Sequence, residues 1–236
     1  MSILKTLLLT LAVSLTLAAC TTDPAPSGET TFSVRVENVS SEATLPTSQG
    51  SVAVPLSPGA YMVHQEDASP LLEPRDPAGR ALEALAEDGD ASLFPDEIAG
   101  SKVFDTPVGA SEPGPLMPGD AYEFELSANP GDKLALVTMF VQSNDWFYTP
   151  TNEDDSISLF NDAGEPVSGD VSSQLALWES ATEVDEEAGT GPNQAPRQGE
   201  PNTGEAETGK VGSLKGKGKT VTLNGDVIRV TLTPSN

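Results

Sequence analysis

The chain has few of the residues that most enzymes and structural metal sites use. Its 236 residues include one cysteine, Cys20, and one histidine, His64. A single thiol cannot form an internal disulfide or a thiolate metal site. The single histidine excludes a histidine cluster, and no Gly-x-Ser-x-Gly elbow accompanies it to form a hydrolytic triad. We therefore predict that the protein is not an enzyme and that His64 has a structural role.

Basic residues are also scarce. The 12 lysines and arginines stand against 36 acidic residues, which gives a net charge of −24. Such a surface repels phosphate backbones, so we expect no binding to nucleic acid. The charge suits a salty environment or a divalent cation, although solubility alone also accounts for it. Aromatic residues make up only 5 % of the chain, so a cluster of them is informative.

The N-terminus has the pattern of a secretion signal that ends in a lipid anchor. Lys5 precedes a small and apolar run over residues 6–19, which is too short to span a bilayer comfortably. The run ends in Leu-Ala-Ala-Cys at residues 17–20, which resembles the lipobox of bacterial lipoproteins. The resemblance implies cleavage before Cys20 and lipidation of its thiol. An ordinary signal peptide with an incidental cysteine is the alternative.

The predicted anchor divides the chain into three parts. We expect a lipoprotein signal peptide over 1–20, a flexible tether rich in Pro, Ser and Thr over 21–30, and one domain over 31–236. The membrane partner is then the bilayer that holds Cys20, and the location is the bacterial cell envelope. In a cell with two membranes, the residue after the cysteine bears on the location. This residue is Thr21 and not an aspartate, which favours the outer membrane or the cell surface.

The rest of the chain has the pattern of a mainly β protein. Apolar and polar residues alternate through 31–38 and 121–126, and 134–141 is an apolar run with one threonine, typical of a buried strand. Further predicted strands are 51–55, 56–63, 156–160, 173–178, and the pair 220–223 and 226–233, joined at Asn224-Gly225 as a hairpin. Many short strands with plentiful turns predict an antiparallel β-sandwich.

One short helix interrupts this β pattern. Asp76 is a suitable N-cap, Pro77 suits the first helical position, and Gly89 can end the helix. Between them the apolar residues recur at helical spacing, at positions 78, 81, 82, 85 and 86. This face is expected to pack against the core of the sandwich.

A long polar segment covers residues 182–219 and is rich in Gly, Pro, Glu and Asn. Its composition is typical of disorder, but a structureless stretch of this length inside a compact domain is uncommon and is usually functional or a linker. Its end carries a basic island on an acidic protein, made of Lys210, Lys215, Lys217 and Lys219. We interpret the island as a solvated loop, with a contact for an anionic glycan or lipid as the alternative.

Two apolar strands end in the same way, on aromatic residues and acids. The run 134–141 leads through a polar turn to Asp145, and the run 175–178 leads to Glu179 and Glu183. If the two strand ends lie together, the three carboxylates face one point, where a divalent cation would remove their mutual repulsion. From spacing alone, the alternative is that Asp145 is only a turn residue.

Five segments together resemble the spondin domain, the amino-terminal module of F-spondin, in its bacterial form. They are SPGAYMVHQ, ALEALAEDGD, MFVQSNDWFY, GEPVSGDVSSQLALWESATEVDEE and GPNQAPRQGEPNTG. The similarity covers about residues 31–209. It implies a β-sandwich that resembles calcium- and phospholipid-binding sandwich domains, with a calcium ion at the loop end.

The resemblance also assigns site residues. The metal ligands of the family fall on Asp145, Glu179 and Glu183, and Trp146 and Trp178 are then expected to support the two loops. The family's usual Asp-Ala-Gly is replaced here by Glu-Ser-Ala at residues 179–181. The resemblance further implies that most of the polar segment is an ordered loop.

These features predict a lipid-anchored calcium-binding module for adhesion, or for capture of a glycan or an extracellular protein. The alternative is a structural envelope lipoprotein whose calcium only stabilises the fold. An enzyme that uses calcium as an electrophile would need a general base near the ion, and His64 is the only candidate that titrates near neutral pH.

Overall fold

A computed structural model describes residues 28–67, 69–72, 76–151 and 155–235. The predicted signal peptide with Cys20, and most of the predicted tether, lie outside these residues. The described chain is mainly β, with antiparallel sheets and two helices, and this confirms the predicted fold class. Neither helix in the described part has the length and apolar character needed to cross a bilayer.

The described strands begin with β1 and end with β13, next to the C-terminus. In chain order they are β1 Thr30–Asn38, β2 Leu45–Thr47, β3 Gly50–Val52, β4 Leu56–His64, β5 Lys102–Phe104, β6 Ala121–Ala128, β7 Lys133–Phe140, β8 Trp146–Pro150, β9 Ile157–Ser158, β10 Gly169–Asp170, β11 Leu175–Glu179, β12 Gly212–Ser213 and β13 Ile228–Ser235. The helices, α1 Arg80–Asp88 and α2 Phe94–Glu97, lie between β4 and β5.

Two antiparallel sheets form the sandwich. The smaller sheet has the order β10-β13-β1-β6, and the larger has the order β12-β11-β8-β7-β4-β5, with β9 also paired to β7. Strands β2 and β3 form a separate hairpin. The first and last described strands, β1 and β13, pair along their length and form the middle of the smaller sheet.

The core lies between the sheets and follows from the sequence pattern. Phe32, Val34 and Val36 alternate along β1 and are completely buried, as their spacing predicts. On the facing strand β7, Leu134 and Leu136 join the same cluster. The intervening residues of β7 face outward from the sandwich and pack against α1. Strand β7 is therefore covered on both faces, and this explains why almost all of its residues are apolar.

Helix α1 presents the predicted face but begins later than predicted. Leu82 and Leu85 are buried under the helix, and Gly89 ends it with a φ of 73°. Asp76 is not the N-cap, because the helix starts at Arg80 after Gly79. A carboxylate from α2 replaces the missing cap, since Glu97 Oε2 accepts the backbone N–H of Ala81 at 3.1 Å. The four-residue helix α2 itself was not predicted.

The predicted hairpin at Asn224-Gly225 is wrong. Residues 220–223 form no strand, and β13 pairs with β1 and β10. A hairpin turn of the expected type needs positive φ at both central residues. Neither Asn224 nor Gly225 has one. Asn224 is instead bound to the loop before β2, where its backbone N–H donates to the carbonyl of Thr44 at 2.8 Å.

The two ends of β7 define the two ends of the sandwich. Strand β1 begins at Thr30 opposite Ala128, and a tight turn over residues 129–132 leads from there into β7. Asp145 follows the other end of β7, in the turn to β8. The N-terminus of the sandwich and the turn with Asp145 therefore lie at opposite ends.

Candidate metal centre

Antiparallel pairing brings the two predicted strand ends together. Strand β8 pairs with β11, and Glu179 lies opposite Trp146 at the end of the ladder. Just beyond it, the backbone N–H of Ser180 donates to the backbone carbonyl of Asp145 at 3.1 Å. The expectation that the two strand ends lie side by side is met, and it places Asp145 and Glu179 in one site.

Three carboxylates form the site. Asp145, Glu179 and Asp185 each offer an oxygen that lies within 4.8 Å of the other two. Asp145 and Glu179 are completely buried, and Asp185 is partly exposed. Calcium binds oxygen ligands at about 2.3–2.6 Å, so two ligands of one ion lie at most about 5 Å apart. The three residues therefore have the spacing that a divalent cation requires.

The two oxygens of Asp145 have different surroundings. Oδ2 accepts the backbone N–H of Thr182 at 2.9 Å and the hydroxyl of Ser180 at 3.2 Å, which ties the two loops together. Oδ1 is buried and has no hydrogen-bond partner among the described residues. An unsatisfied buried carboxylate oxygen is unfavourable in a folded protein, and such an oxygen suits a cation ligand.

Burial and neighbouring charge also perturb the titration of Asp145. Burial raises its pKa to about 7, and the Glu179 carboxylate adds to the increase. The backbone N–H groups of Thr182 and Glu183 act in the opposite direction because they stabilise the charged form. The site thus concentrates negative charge where water cannot screen it.

The predicted supporting tryptophans have separate roles. The indole N–H of Trp146 donates to Asp185 Oδ1 at 2.8 Å and so orients the third carboxylate of the cluster. Trp178 lies opposite Phe147 and packs in the cluster under α1, on the outer face of the larger sheet. Its contribution to the site is the position of the next residue, Glu179, at the end of β11.

Glu183, the third predicted ligand, is buried beside the cluster in different contacts. Its Oε1 accepts the backbone N–H of Gly204 at 2.9 Å, and its Oε2 accepts the amide of Asn144 at 3.3 Å. Gly204 allows this approach because a Cβ there would lie 2.1 Å from the carboxylate. The geometric cluster contains Asp185 in its place. A ligand role for Glu183 stays a prediction.

The basic island contributes two cations to the site. Lys219 Nζ contacts Glu179 Oε1 and lies 2.5 Å from Asp185 Oδ2. Lys217 Nζ lies 2.9 Å from Glu179 Oε2, without the alignment of a hydrogen bond. Burial disfavours the ammonium form of Lys219, but Asp185 and Glu179 outweigh it and raise its pKa. These two lysines therefore form ion pairs at the solvent edge of the site, a contact that the interpretation as a solvated loop does not include.

Residues 182–209 form an ordered loop, as the resemblance implied. Gln194 is completely buried, and its amide donates to Asn144 Oδ1 at 3.3 Å. Arg197 donates from Nη1 to Gln142 Oε1 at 2.9 Å and from Nε to the carbonyl of Gly191 at 2.7 Å. These bonds fasten the loop to the turn that carries Asp145, and composition alone does not reveal them.

A second set of buried carboxylates lies next to the metal centre. Glu87 of α1 forms a side-chain hydrogen bond with Thr182, whose hydroxyl is 2.7 Å from that of Ser180. Burial raises the pKa of Glu87 to about 7, and the charge of Glu183 adds to this effect. Burial also raises the pKa of Glu183. Thr182 therefore stands between Asp145 and this second set.

His64 is not placed to act at the metal centre. It is opposite Lys133 at the start of β7, whereas Asp145 follows the end of that strand. Eight strand residues separate these ends by about 23 Å at the usual rise per residue. Its Nε2 lies 2.8 Å from Ser156 Oγ, and both residues are buried. These contacts fit the structural role that the sequence predicts.

Searches against models of known protein families and against curated proteins find no match to this chain. The resemblance to the spondin domain therefore stays a prediction. The feature that bears on function is the site itself, a largely buried acidic triad able to bind a metal ion.

Proposed function

We propose that the protein is a lipid-anchored, extracytoplasmic module that binds calcium between the turn before β8 and the segment after β11, and that it serves adhesion or capture of an external partner. One observation carries the metal proposal. Three carboxylates converge within 4.8 Å, and one of them, Asp145, has a buried oxygen with no hydrogen-bond partner among the described residues.

The chemistry of the donors favours calcium. All three candidate ligands are carboxylates, which are hard oxygen donors of the kind that calcium prefers. Softer transition metals favour imidazole or thiolate, and the only histidine lies near the other end of β7. A bound calcium ion would supply positive charge and join the two loops. Asp145 and Glu179 would hold it from the buried side and Asp185 from the partly exposed side.

The proposed binding role follows from the exposure of the site. Asp185 has a side chain that is 27 % exposed, so one side of the cluster faces solvent. A cation held there can complete its coordination shell with oxygens from a partner, since calcium takes six to eight ligands. Hydroxyl groups of a glycan and carboxylates of a protein both offer such oxygens. The proposed location and anchor depend on the lipobox-like end at Cys20.

A structural envelope module is the second candidate, and one observation favours it. Asp145 already connects the two loops through its bonds to Thr182 and Ser180. In that case calcium would only strengthen an existing connection. This candidate predicts a higher melting temperature in calcium but no external ligand. Capture of a ligand predicts binding to a glycan array or to matrix proteins that disappears when calcium is chelated.

Calorimetric titration of the full chain in mild detergent tests the metal site. We expect the parent to bind calcium, and we expect Asp145→Asn and Asp185→Asn to weaken binding by at least about 30-fold, which corresponds to about 2 kcal/mol. Glu183→Gln tests the other candidate for the third ligand, and from the geometry of the cluster we expect it to bind like the parent. No heat of binding in the parent, or unchanged binding in Asp145→Asn, would contradict the proposal. Loss in Glu183→Gln with retention in Asp185→Asn would make Glu183 the third ligand.

The anchor has its own test. Cys20→Ser should release the protein from the membrane fraction and abolish labelling with radioactive palmitate. Membrane association that survives this substitution would contradict the lipid anchor without affecting the metal site.

A further inference from the structure

We propose that Lys217 and Lys219 are built-in counter-ions of the metal centre, which calcium must displace, so that these two lysines set the affinity of the site. This inference rests on the proposed function in one respect, the identity of the displacing ion. The described contacts alone show that two ammonium groups neutralise Glu179 and Asp185, two of the three carboxylates of the cluster.

The ammonium groups lie where a cation is expected. Lys219 Nζ contacts carboxylate oxygens of both Glu179 and Asp185, two of the three members of the cluster. Lys217 Nζ approaches the other oxygen of Glu179 at 2.9 Å. Both oxygens of this completely buried carboxylate therefore face an ammonium group. A calcium ion bound by Glu179 and Asp185 would need the position that Lys219 Nζ takes.

The charge balance favours exchange of the two ammonium groups for one calcium ion. When all three carboxylates are ionised, the form in which they bind a cation, the carboxylates and the two ammonium groups together carry a net charge of −1. If calcium entered beside both lysines, the net charge would become +1 in a largely buried site, which is unfavourable. If one calcium ion replaces the two ammonium groups, the net charge returns to −1. Exchange of two monovalent groups for one divalent ion thus leaves the electrostatics of the site balanced.

The base of the lysine segment is fixed independently of these ion pairs. Strand β12 pairs with the end of β11, and Leu214 is buried in the core, where its backbone N–H donates to the carbonyl of Leu177 at 3.1 Å. The turn is closed by its own bonds, from Lys217 N–H to Ser213 and from Lys219 N–H to Leu214. The ion pairs are therefore not needed to hold the backbone.

The two side chains have a route to water. Lys217 and Lys219 are 24 % and 34 % exposed, so their ammonium groups lie at the solvent edge of the site. Long lysine side chains keep their aliphatic stems on apolar surface while the charged end moves into water. Displacement then requires new side-chain rotamers and leaves the fold intact.

A pair of matched variants tests the effect on affinity. Lys217→Met with Lys219→Met removes the two counter-ions, and Lys210→Met with Lys215→Met removes two exposed lysines of the same basic island. Both double variants change the net charge by the same amount. In calorimetric titration of the full chain with calcium, we expect the first to bind at least about tenfold more tightly than the parent and the second to bind within about twofold.

A second measurement uses the unmodified chain. Acylation of lysines by an amine reagent, followed by mass spectrometry, should be slow at Lys217 and Lys219 in chelator and several-fold faster in saturating calcium. The exposed Lys215 serves as the internal control and should react at the same rate in both. Equal protection of Lys219 with and without bound calcium would overturn the inference, even if the double variant fails to fold.

The outcomes separate this inference from the proposed function. Calcium binding by the parent with no gain in the Lys217/Lys219 variant overturns the inference and leaves the proposed function standing. Binding by that variant but not by the parent overturns the proposed function and supports the counter-ion role. If the parent and the variant are folded and neither binds calcium, the inference and the proposed function are both overturned. Tighter calcium binding in the Lys217/Lys219 variant, with unchanged binding in the Lys210/Lys215 control, supports both.

Discussion

Two neighbouring sets of carboxylates are buried at the loop end of the sandwich, and they are neutralised in different ways. In the first set, Glu179 and Asp185 form ion pairs with the ammonium groups of two lysines, and Asp145 accepts hydrogen bonds from the loop after β11. Glu87 and Glu183 lie across Thr182 from them and form no ion pair with a lysine or arginine of the described residues. Hydrogen-bond donors take the place of cations in this second set.

The difference shows what distinguishes a cation site from a proton site. Burial disfavours the charged form of an acid, and it raises the pKa of Glu87 to about 7 and also raises the pKa of Glu183. At the metal centre, the fold directs positive side chains into the cluster. We infer that a divalent ion will select the first set, whereas changes of pH near 7 will act on Glu87 in the second set and also on Asp145 in the first, since burial raises the pKa of both to about 7.

The largest expected effect comes from removal of the counter-ions. In chelator, Lys217→Met with Lys219→Met should lower the free energy of unfolding by about 3 kcal/mol, because buried Glu179 loses its partners. Saturating calcium should restore most of this loss. Urea unfolding followed by tryptophan fluorescence, with and without calcium, measures both. An equal loss of stability with and without calcium would contradict the proposed difference between the two carboxylate sets.

A smaller effect, of opposite sign, is expected for Glu87→Gln. The folded pKa of Glu87 is about 7 against an ordinary value of 4.5, so the folded state binds a proton that the unfolded state lacks between these values. The contribution of Glu87 to stability is therefore fully present below about pH 4.5 and is lost as the pH rises through about 7. At pH 7.5 in chelator, the neutral amide should stabilise the protein by about 2 kcal/mol.

Urea unfolding at pH 5 and pH 7.5 checks this prediction. The substitution should stabilise the protein less at pH 5 than at pH 7.5, and calcium affinity should stay within about twofold of the parent. A large change of calcium affinity in Glu87→Gln would show that the second set also takes part in cation binding.

The smallest expected effect concerns the residue between the two sets. Thr182→Val removes the hydroxyl that bonds Glu87 and Ser180 but keeps the backbone N–H that donates to Asp145. We expect a loss of stability of about 1 kcal/mol, typical of one buried hydrogen bond. Calcium affinity measured by calorimetry should be nearly unchanged. A strong loss of affinity would mean that the hydroxyl couples the two sets into one site.

The first two members of the metal centre could be predicted from the sequence because each follows a recognisable apolar strand. The third could not be chosen by pattern, since Glu183 and Asp185 are two residues apart and alternate residues of an extended segment point to the same side. The choice depends on Asn144, on Gly204 and on the indole of Trp146, which are distant in the chain.

The counter-ions were missed for a similar reason. Lys219 reaches a carboxylate that is 40 residues earlier in the chain, and only the pairing of β12 with β11 makes this contact possible. The fold itself was more accessible, because the apolar run of β7 and the buried face of α1 follow from local pattern. The start of α1 and the proposed hairpin at Asn224-Gly225 were wrong, because distant partners, Glu97 and the loop before β2, decide both.

The position of Thr30 at the far end of the sandwich fixes how the protein would be presented. In the anchored form proposed above, the tether enters the domain beside the turn over residues 129–132, and the metal centre lies at the distal tip. The site then faces away from the bilayer that carries the protein. A partner on an opposing surface or in the surrounding medium can reach it.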